Sequence, residues 1–239
     1  MERGIVKVRI WIAGGGTGGH VYPGLAVVQA LATKGQEAGS KGQEAAATCL
    51  PDSVEVLYVG GEGGVEERLA ERAGLRFVGV PAGGVHGLSP WRAAQNFIKL
   101  LRGWWGAYRL GRRERPAALF ATGGYASVPV ALAAWMLRTP ILVYLPDIEP
   151  GLAVRVIARL AARVAVTVDD SHAYFPARKV VTTGYPVRAE FHEIDRAGAR
   201  AALGLRPDGP DGPDGNEPAL LVMGGSRGAR SINQALSGV

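Results

Sequence analysis

The stretch VRIWIAGGGTGGH, residues 8–20, decides the fold class of this chain. Its apolar, β-branched first half is typical of a buried strand, and the glycine cluster that follows allows a tight turn. The amphipathic residues 21–31 predict a helix directly after the turn. The free N–H groups at the start of such a helix point back at the glycines. Strand, turn and helix together therefore predict a cradle for an anion, most often a phosphate.

Segments that predict strands and helices alternate along the rest of the chain. Predicted strands cover residues 5–13, 54–60, 76–80, 117–121, 141–145, 163–168 and 179–182, and predicted helices include 21–34, 65–73, 91–113 and 152–160. This alternation is typical of an α/β fold with parallel sheets and right-handed crossovers. A second glycine turn, at residues 122–127, follows the fourth strand and precedes a helix that ends at residue 137.

A third glycine turn lies near the carboxyl end. A predicted strand at 219–223, the turn at 224–228 and a predicted helix at 229–236 repeat the pattern of the first stretch. We therefore expect two Rossmann-like domains, residues 1–184 and 185–239. About fifty residues follow Arg188, whereas a domain of this kind has roughly 100–200, so the second domain is expected to be truncated. The sequence KGQEA occurs at 34–38 and again at 41–45, which predicts a solvated insertion.

The composition limits the classes of protein to which the chain can belong. Hydrophobic residues make up 47% and the net charge is +6, which predicts a globular chain with anionic partners. The lone Cys49 excludes an internal disulfide and indicates a reducing compartment. No apolar run reaches the roughly 20 residues of a membrane span, and no signal segment is predicted. No metal-ligand spacing and no nucleic-acid motif is present, so we expect no metal, no cofactor and no nucleic-acid partner.

Residues 91–115 carry seven basic residues against one acid, Glu114. Apolar residues recur there every three or four positions, at Trp91, Ala94, Ile98, Leu101, Trp105 and Tyr108. One interpretation is a helix that packs on the core and solvates its basic side. The other is a surface helix that lies on an anionic membrane, with tryptophans at headgroup depth. Phe97 and Trp104 widen the apolar stripe, which favours the membrane.

The first glycine turn also carries chemical groups. Thr17 supplies a hydroxyl and His20 an imidazole at the helix start, and histidine can take a proton near neutral pH. A capping or packing role for His20 is the alternative. The glycines match the dinucleotide fingerprint, but the acid expected about 20 residues later falls in the KGQEA insertion, which disfavours a nicotinamide or flavin site. Simple strand–helix turns would explain one glycine turn but not three.

Four segments, in order along nearly the whole chain, resemble the MurG family of glycosyltransferases. They are GGTGGH at 15–20 followed by PGLA at 23–26, GGY at 123–125, GYPVR at 184–188 and GGSRGA at 224–229. The resemblance implies a GT-B-type fold, in which two α/β halves face each other across a cleft. It implies inverting, metal-independent transfer of N-acetylglucosamine from UDP-N-acetylglucosamine to the 4-hydroxyl of undecaprenyl-pyrophosphoryl muramoyl-pentapeptide. It also implies a peripheral location on the cytoplasmic face of the cell membrane.

The same resemblance implies roles for individual residues. The UDP-sugar would contact Thr17, Gly18, Gly19, Asp147, Arg188 and Ser226. The lipid-linked acceptor would contact Gly15, Gly16, His20, Gly123, Gly124 and Tyr125. An anionic membrane surface would contact Trp91, Arg102, Trp104, Trp105 and Arg109. His20 is expected to be the catalytic base, with Asp147 as the second candidate.

The chain departs from the family at residues 144–147. The family usually has His-Glu-Gln-Asn there, whereas this chain has Tyr-Leu-Pro-Asp, so Asp147 stands where a donor-contacting asparagine is expected. A carboxylate at that position repels phosphates unless it is protonated, paired or used as a base. Two alternatives therefore stay open. One is a related transferase that acts on another lipid or a natural product, and the other is a non-catalytic module that binds the acceptor or the membrane.

Overall fold

The computed structural model describes residues 7–16, 18–39, 54–83, 90–188, 191, 195–204, 220–224 and 229–237. The chain divides into two compact units, Met1–Val187 and Arg188–Val239. Within the described residues, the first unit holds a seven-stranded sheet, and the second unit holds two short helices. The candidate functional site belongs to the first unit.

The sheet of the first unit is parallel throughout. Its strands are β1 Val8–Gly14, β2 Val54–Gly61, β3 Arg76–Val80, β4 Ala118–Gly123, β5 Ile141–Leu145, β6 Arg163–Val166 and β7 Val180–Thr182. They pair in the order β3-β2-β1-β4-β5-β6-β7, so the order reverses between β1 and β4. Ligands of open parallel sheets bind at such a reversal, outside the carboxyl ends of the strands. The α/β prediction is confirmed, and the topology directs attention to the ends of β1 and β4.

Helices cover both faces of this sheet. In the first unit they are α1 Gly18–Gly39, α2 Val65–Arg72, α3 Pro90–Glu114, α4 Ser127–Met136 and α5 Leu152–Leu160, with a 3₁₀ helix at Asp169–Tyr174. In the second unit they are α6 Arg196–Ala202 and α7 Arg230–Ser237. Successive side chains of a strand point to opposite faces. Accordingly, Ile12 of β1 packs in a cluster with Val21 of α1 and Ala70 of α2. Trp11 packs in a second cluster with residues of α3, α4 and α5.

The first helix begins three residues earlier than the sequence predicts and ends later. The prediction was 21–34, whereas α1 is Gly18–Gly39. Glycine is a poor helix former, but the apolar face of α1, with Val21 and Val28 fully buried, supplies the packing that overrides propensity. The first KGQEA copy is therefore helical and is not a loop insertion, and the second copy lies outside the described residues.

The predicted strand at 219–223 is wrong where the structure describes it. Residues 220–224 have no strand assignment, and Leu220, Leu221 and Met223 are largely exposed. A strand needs a neighbour for its backbone donors and acceptors, and none is described in the second unit. Of the predicted repeat of the first stretch, helix α7 is the element that forms among the described residues.

Candidate functional site

The first glycine turn connects the end of β1 to the start of α1. Gly14 ends the strand, and Gly16 has a φ of +90°, a backbone conformation that favours glycine. Because α1 begins at Gly18, the first four N–H groups of the helix belong to residues 18–21, and these groups lack intrahelical partners. The start of α1 therefore has the donor geometry that anions use at helix N-termini.

The second glycine turn, at the end of β4, touches the first. Gly123 and Gly124 have φ values of +101° and +84°. The Gly15 N–H donates to the Gly123 carbonyl oxygen at 3.3 Å. A Cβ added to Gly124 would overlap the Gly15 carbonyl oxygen. The sequence predicts both turns, and the structure brings them together at the point where the strand order reverses.

His20 lies where these two turns meet. Its backbone carbonyl accepts a hydrogen bond from the hydroxyl of Thr122, a fully buried residue at the irregularity in the β1–β4 pairing. Its imidazole lies near Gly123, since a Cβ there would be 3.6 Å from His20 Cε1. The Nδ1 atom is buried and has no hydrogen-bond partner among the described residues. Burial lowers the pKa of His20, and the negative charge of Asp147 partly opposes that shift. The imidazole is therefore neutral at pH 7 and able to accept a proton.

A pocket of about 440 Å³ opens beside His20. It is lined by His20, Gly124, Tyr125, Leu145, Asp147, Gly151, Leu152, Ala153 and Val154. The polar groups of the lining converge from the starts of α1 and α4 and from the end of β5. A concave site with an apolar wall and a few convergent polar groups is typical of a small-molecule site. The structure thus brings together His20, Asp147, Gly124 and Tyr125 from the predicted residues.

Tyr144, the first residue of the departure at residues 144–147, does not belong to the pocket lining. It is 1% exposed, and its hydroxyl shares a 2.8 Å hydrogen bond with the Thr167 hydroxyl and donates to the Gly184 carbonyl at 3.3 Å. Its ring makes an edge-on contact with Tyr185, with 6.3 Å between centroids. Burial raises the pKa of Tyr144 and of Tyr185. Tyr144 therefore ties β5 to the segment after β7 and leaves Asp147 to face the pocket.

The sequence does not predict the role of Glu66, a residue of α2 that accepts a hydrogen bond from the first glycine turn. It is the second residue of α2 and is 2% exposed. Its carboxylate accepts the N–H groups of Gly16 and Gly61. Nothing in the local pattern distinguishes it from Glu67, the other acid of the same helical turn, because the contact to Gly16 spans fifty positions of sequence.

The helix α3 turns its large apolar residues outward. Trp91, Phe97, Ile98, Leu101 and Trp105 are between 47% and 74% exposed. Its buried face consists of small residues at four-residue spacing, Gly103, Ala107 and Gly111. Added Cβ atoms at Gly103 and Gly111 would overlap the Pro81 carbonyl and Leu137. The interpretation of the Trp91–Tyr108 stripe as a core face is therefore wrong for the exposed residues.

Basic side chains flank the exposed apolar residues of α3. A groove on its surface is lined by Ile98, Leu101, Arg102, Trp105, Gly106 and Arg109. We call this set the α3 groove. Trp104, which is predicted to contact the membrane, is only partly exposed and packs against the core. The reason is its position beside the small-residue face.

Some predicted site residues cannot be placed with the others. Thr17 and Ser226 lie outside the described residues. Arg188 belongs to the second unit, where its guanidinium lies 5.3 Å from the ring centroid of Phe191. Within the described ranges, no group of three or more His, Cys, Asp or Glu side chains could hold a metal ion. None of the helices in those ranges has the length and apolar character needed to cross a bilayer.

Comparisons with known proteins match most of the chain. A family model described as the glycosyltransferase family 28 N-terminal domain matches residues 10–166, which include both glycine turns and Asp147. A curated relative from Roseiflexus sp. (strain RS-1) is named UDP-N-acetylglucosamine--N-acetylmuramyl-(pentapeptide) pyrophosphoryl-undecaprenol N-acetylglucosamine transferase. It is 43% identical in an alignment that covers 98% of this chain and 56% of that protein. A relative with the same name from Treponema pallidum (strain Nichols) is 40% identical, with coverage of 92% and 52%.

A solved structure gives the same match. The crystal structure of Acinetobacter baumannii MurG superposes with a TM-score of 0.59 at 25% sequence identity, covering 80% of this chain and 49% of that one. This chain spans about half the length of the curated relatives that it matches.

Proposed function

Because this chain belongs to glycosyltransferase family 28, we propose that it serves in the transfer of N-acetylglucosamine from UDP-N-acetylglucosamine to a lipid-linked muramoyl-pentapeptide. The two curated relatives are named for that reaction. The observation that carries the proposal is the position of His20. It stands in the first turn of α1, beside the second glycine turn, in one pocket with Asp147.

The chemistry that suits these groups is a single displacement at the anomeric carbon with inversion and without a metal. The acceptor 4-hydroxyl attacks from the face opposite the diphosphate, so the new O4–C1 bond forms as the bond from C1 to the phosphate oxygen breaks. The hydroxyl proton passes to the neutral imidazole of His20, and the electron pair of the broken bond leaves on UDP. The carboxylate of Asp147 stabilises the imidazolium that results, or takes the proton itself as the second candidate base.

The glycine turns would hold the phosphates. We assign the acceptor pyrophosphate to the surface formed by Gly15, Gly16, Gly123 and Gly124, with Tyr125 at the rim, because an anion can approach the backbone closely where no side chain intervenes. Donor contacts are assigned to Gly18 and Gly19 at the start of α1. Further donor contacts are assigned to Thr17, Asp147, Arg188 and Ser226 on the strength of the motifs alone.

The α3 groove would bring the site to the membrane. The exposed side chains of Ile98, Leu101 and Trp105, together with Trp91 nearer the start of the helix, can enter the headgroup region of the cytoplasmic leaflet. Arg102 and Arg109 attract anionic lipids. This association is peripheral. Such binding would bring the pocket near a pyrophosphate that is attached to a lipid carrier.

A second candidate differs only in the acceptor. Asp147 lines the pocket with His20, at a position where family members usually have an amide, and this supports a related transferase that acts on another lipid or natural product. The Asp147 carboxylate would repel a phosphate group next to it and would favour a hydroxyl group that donates a hydrogen bond to it.

The full-length protein, incubated with UDP-N-acetylglucosamine, tests the proposal. Release of UDP should depend on the lipid-linked muramoyl-pentapeptide and not on soluble sugars or on other polyprenyl-linked sugars. UDP release with another acceptor would establish the second candidate. Binding to anionic vesicles and to the acceptor without UDP release would show a non-catalytic module and contradict the proposal.

A further inference from the structure

We propose that Glu66 is a positioning residue, which fixes the first glycine turn in the conformation that binds the acceptor. The inference rests on the proposed function, because it names what supports the acceptor side of that site. Glu66 stands at the start of α2, which follows β2, next to β1 in the sheet. It does not line the pocket beside His20.

The carboxylate joins two turns that follow neighbouring strands. Its Oε1 accepts the N–H of Gly61 at 2.9 Å, and its Oε2 accepts the N–H of Gly16 at 3.3 Å. A buried carboxylate is costly unless hydrogen bonds satisfy its oxygens. Here each oxygen has a backbone donor, and the charge also lies in the first turn of α2, where the helix dipole favours it.

Glycines in the surrounding backbone leave the space that the Glu66 side chain fills. A Cβ added to Gly15 would overlap Oε1, and one added to Gly60 would lie 2.6 Å from Cγ. Position 15 therefore requires a glycine, because the Glu66 carboxylate occupies the space that a side chain would need. Gly16 requires one for a different reason, its φ of +90°.

Two bonds together determine the orientation of the first turn. The Gly15 N–H donates to Gly123, and the next N–H, of Gly16, donates to Glu66. Both amides are therefore directed into the protein, and the peptide plane between them cannot rotate freely. The turn at Gly15 and Gly16 is therefore held in one conformation before a ligand arrives. A preformed site binds its ligand without the entropic cost of ordering the turn.

The substitution Glu66→Gln changes the side-chain volume little. It replaces one of the two acceptor oxygens by an NH₂ group, which cannot accept the backbone N–H that it faces. In the full-length protein we expect the KM for the lipid-linked acceptor to rise about tenfold, as expected for a loosened binding group. The kcat and the KM for UDP-N-acetylglucosamine should stay within about twofold. Hydrogen exchange of the Gly16 amide should accelerate by about tenfold or more.

Glu67→Gln is the matched control. Glu67 lies on the same helical turn and accepts the Gly63 N–H at 3.1 Å, but this bond is exposed and makes no contact with the first glycine turn. It should leave the acceptor KM and the Gly16 exchange rate unchanged. Glu66→Asp, which keeps the charge but is one methylene shorter, should behave like Glu66→Gln.

A wild-type acceptor KM or unchanged Gly16 exchange in Glu66→Gln would overturn the proposal, and so would wild-type behaviour of Glu66→Asp. If donor and acceptor KM rise together, Glu66 supports the fold in general and the proposal is likewise wrong. If the wild-type protein itself transfers no sugar, the proposed function fails. The exchange measurement then still decides whether Glu66 holds the turn.

Discussion

The backbone amide of Gly15 donates a hydrogen bond to the carbonyl oxygen of Gly123, with 3.3 Å between the two atoms. These residues belong to turns that are more than a hundred positions apart in sequence. They meet because β1 and β4 are neighbours where the strand order reverses. One continuous glycine-lined surface results, with His20 at its centre.

The contact between the two turns leaves no room for a side chain at Gly124. Gly124→Ala combines a φ of +84° with overlap of the Gly15 carbonyl oxygen. We expect the free energy of unfolding to fall by about 2 kcal/mol or more, measured by urea denaturation. Gly106→Ala is the control, since a Cβ there meets nothing within 4 Å, and it should change stability by no more than about 1 kcal/mol, in the stabilising direction. Equal stability of the two variants would contradict the contact.

His20 is predicted to act on the acceptor hydroxyl. His20→Ala should lower kcat by roughly 10²–10⁴-fold while the dissociation constant for UDP-N-acetylglucosamine changes little, because the loss of a general base affects the chemical step. Single-turnover kinetics and equilibrium donor binding separate the two effects. His172→Ala serves as the control, since His172 is an exposed residue of the 3₁₀ helix. Unchanged turnover in His20→Ala would remove this residue from the chemistry.

The pH dependence should report the environment of His20. Burial lowers its pKa below the ordinary value of 6.5, so kcat/KM should rise with pH through a limb centred below 6.5 and then level off. Asp147→Asn removes the negative charge that favours the imidazolium, so the limb should move further towards acid. A limb that moves towards neutral pH, or one centred above 6.5 in the wild type, would show that another group is titrating.

The α3 groove is predicted to bind anionic membranes. Arg102→Glu reverses a charge beside Trp105 and should weaken binding to vesicles of phosphatidylglycerol about tenfold at low salt, measured by co-sedimentation. The loss should shrink as the salt concentration rises. Arg68→Glu makes the same change of charge at an exposed position of α2, on the opposite face of the sheet, and should have little effect. Equal losses in the two variants would indicate a response to net charge alone.

Most of the sheet follows from the sequence because each strand is a short apolar run that ends in a turn. The predictions for residues 141–145 and 152–160 match β5 and α5 in both bounds. The order of the strands does not follow from such local patterns, because it depends on which strands pair across long sequence separations. The start of α1 at Gly18 was missed for a related reason, since the packing of its apolar face decides where the helix begins.

The site follows from the sequence only in part. Glycines mark both turns and His20 stands next to the first one, so the pattern finds them, whereas Asp147 is found only through the family resemblance. Glu66 escapes it because its contact with Gly16 is a tertiary one. The sequence also left open whether the aromatic rings of α3 face outward. The four-residue spacing of Gly103, Ala107 and Gly111 indicates that they do, because a helix can approach the core most closely along a face of small residues.

Transfer of sugar is the central claim, and its most direct test is the formation of product in a single turnover. The full-length protein would be mixed with radiolabelled UDP-N-acetylglucosamine and the lipid-linked muramoyl-pentapeptide, with the His20→Ala variant in parallel. We predict that label passes to the lipid-soluble fraction in the wild type and that the variant transfers it at least about a hundredfold more slowly. Wild-type protein that binds both substrates and leaves all label on the nucleotide would contradict the account.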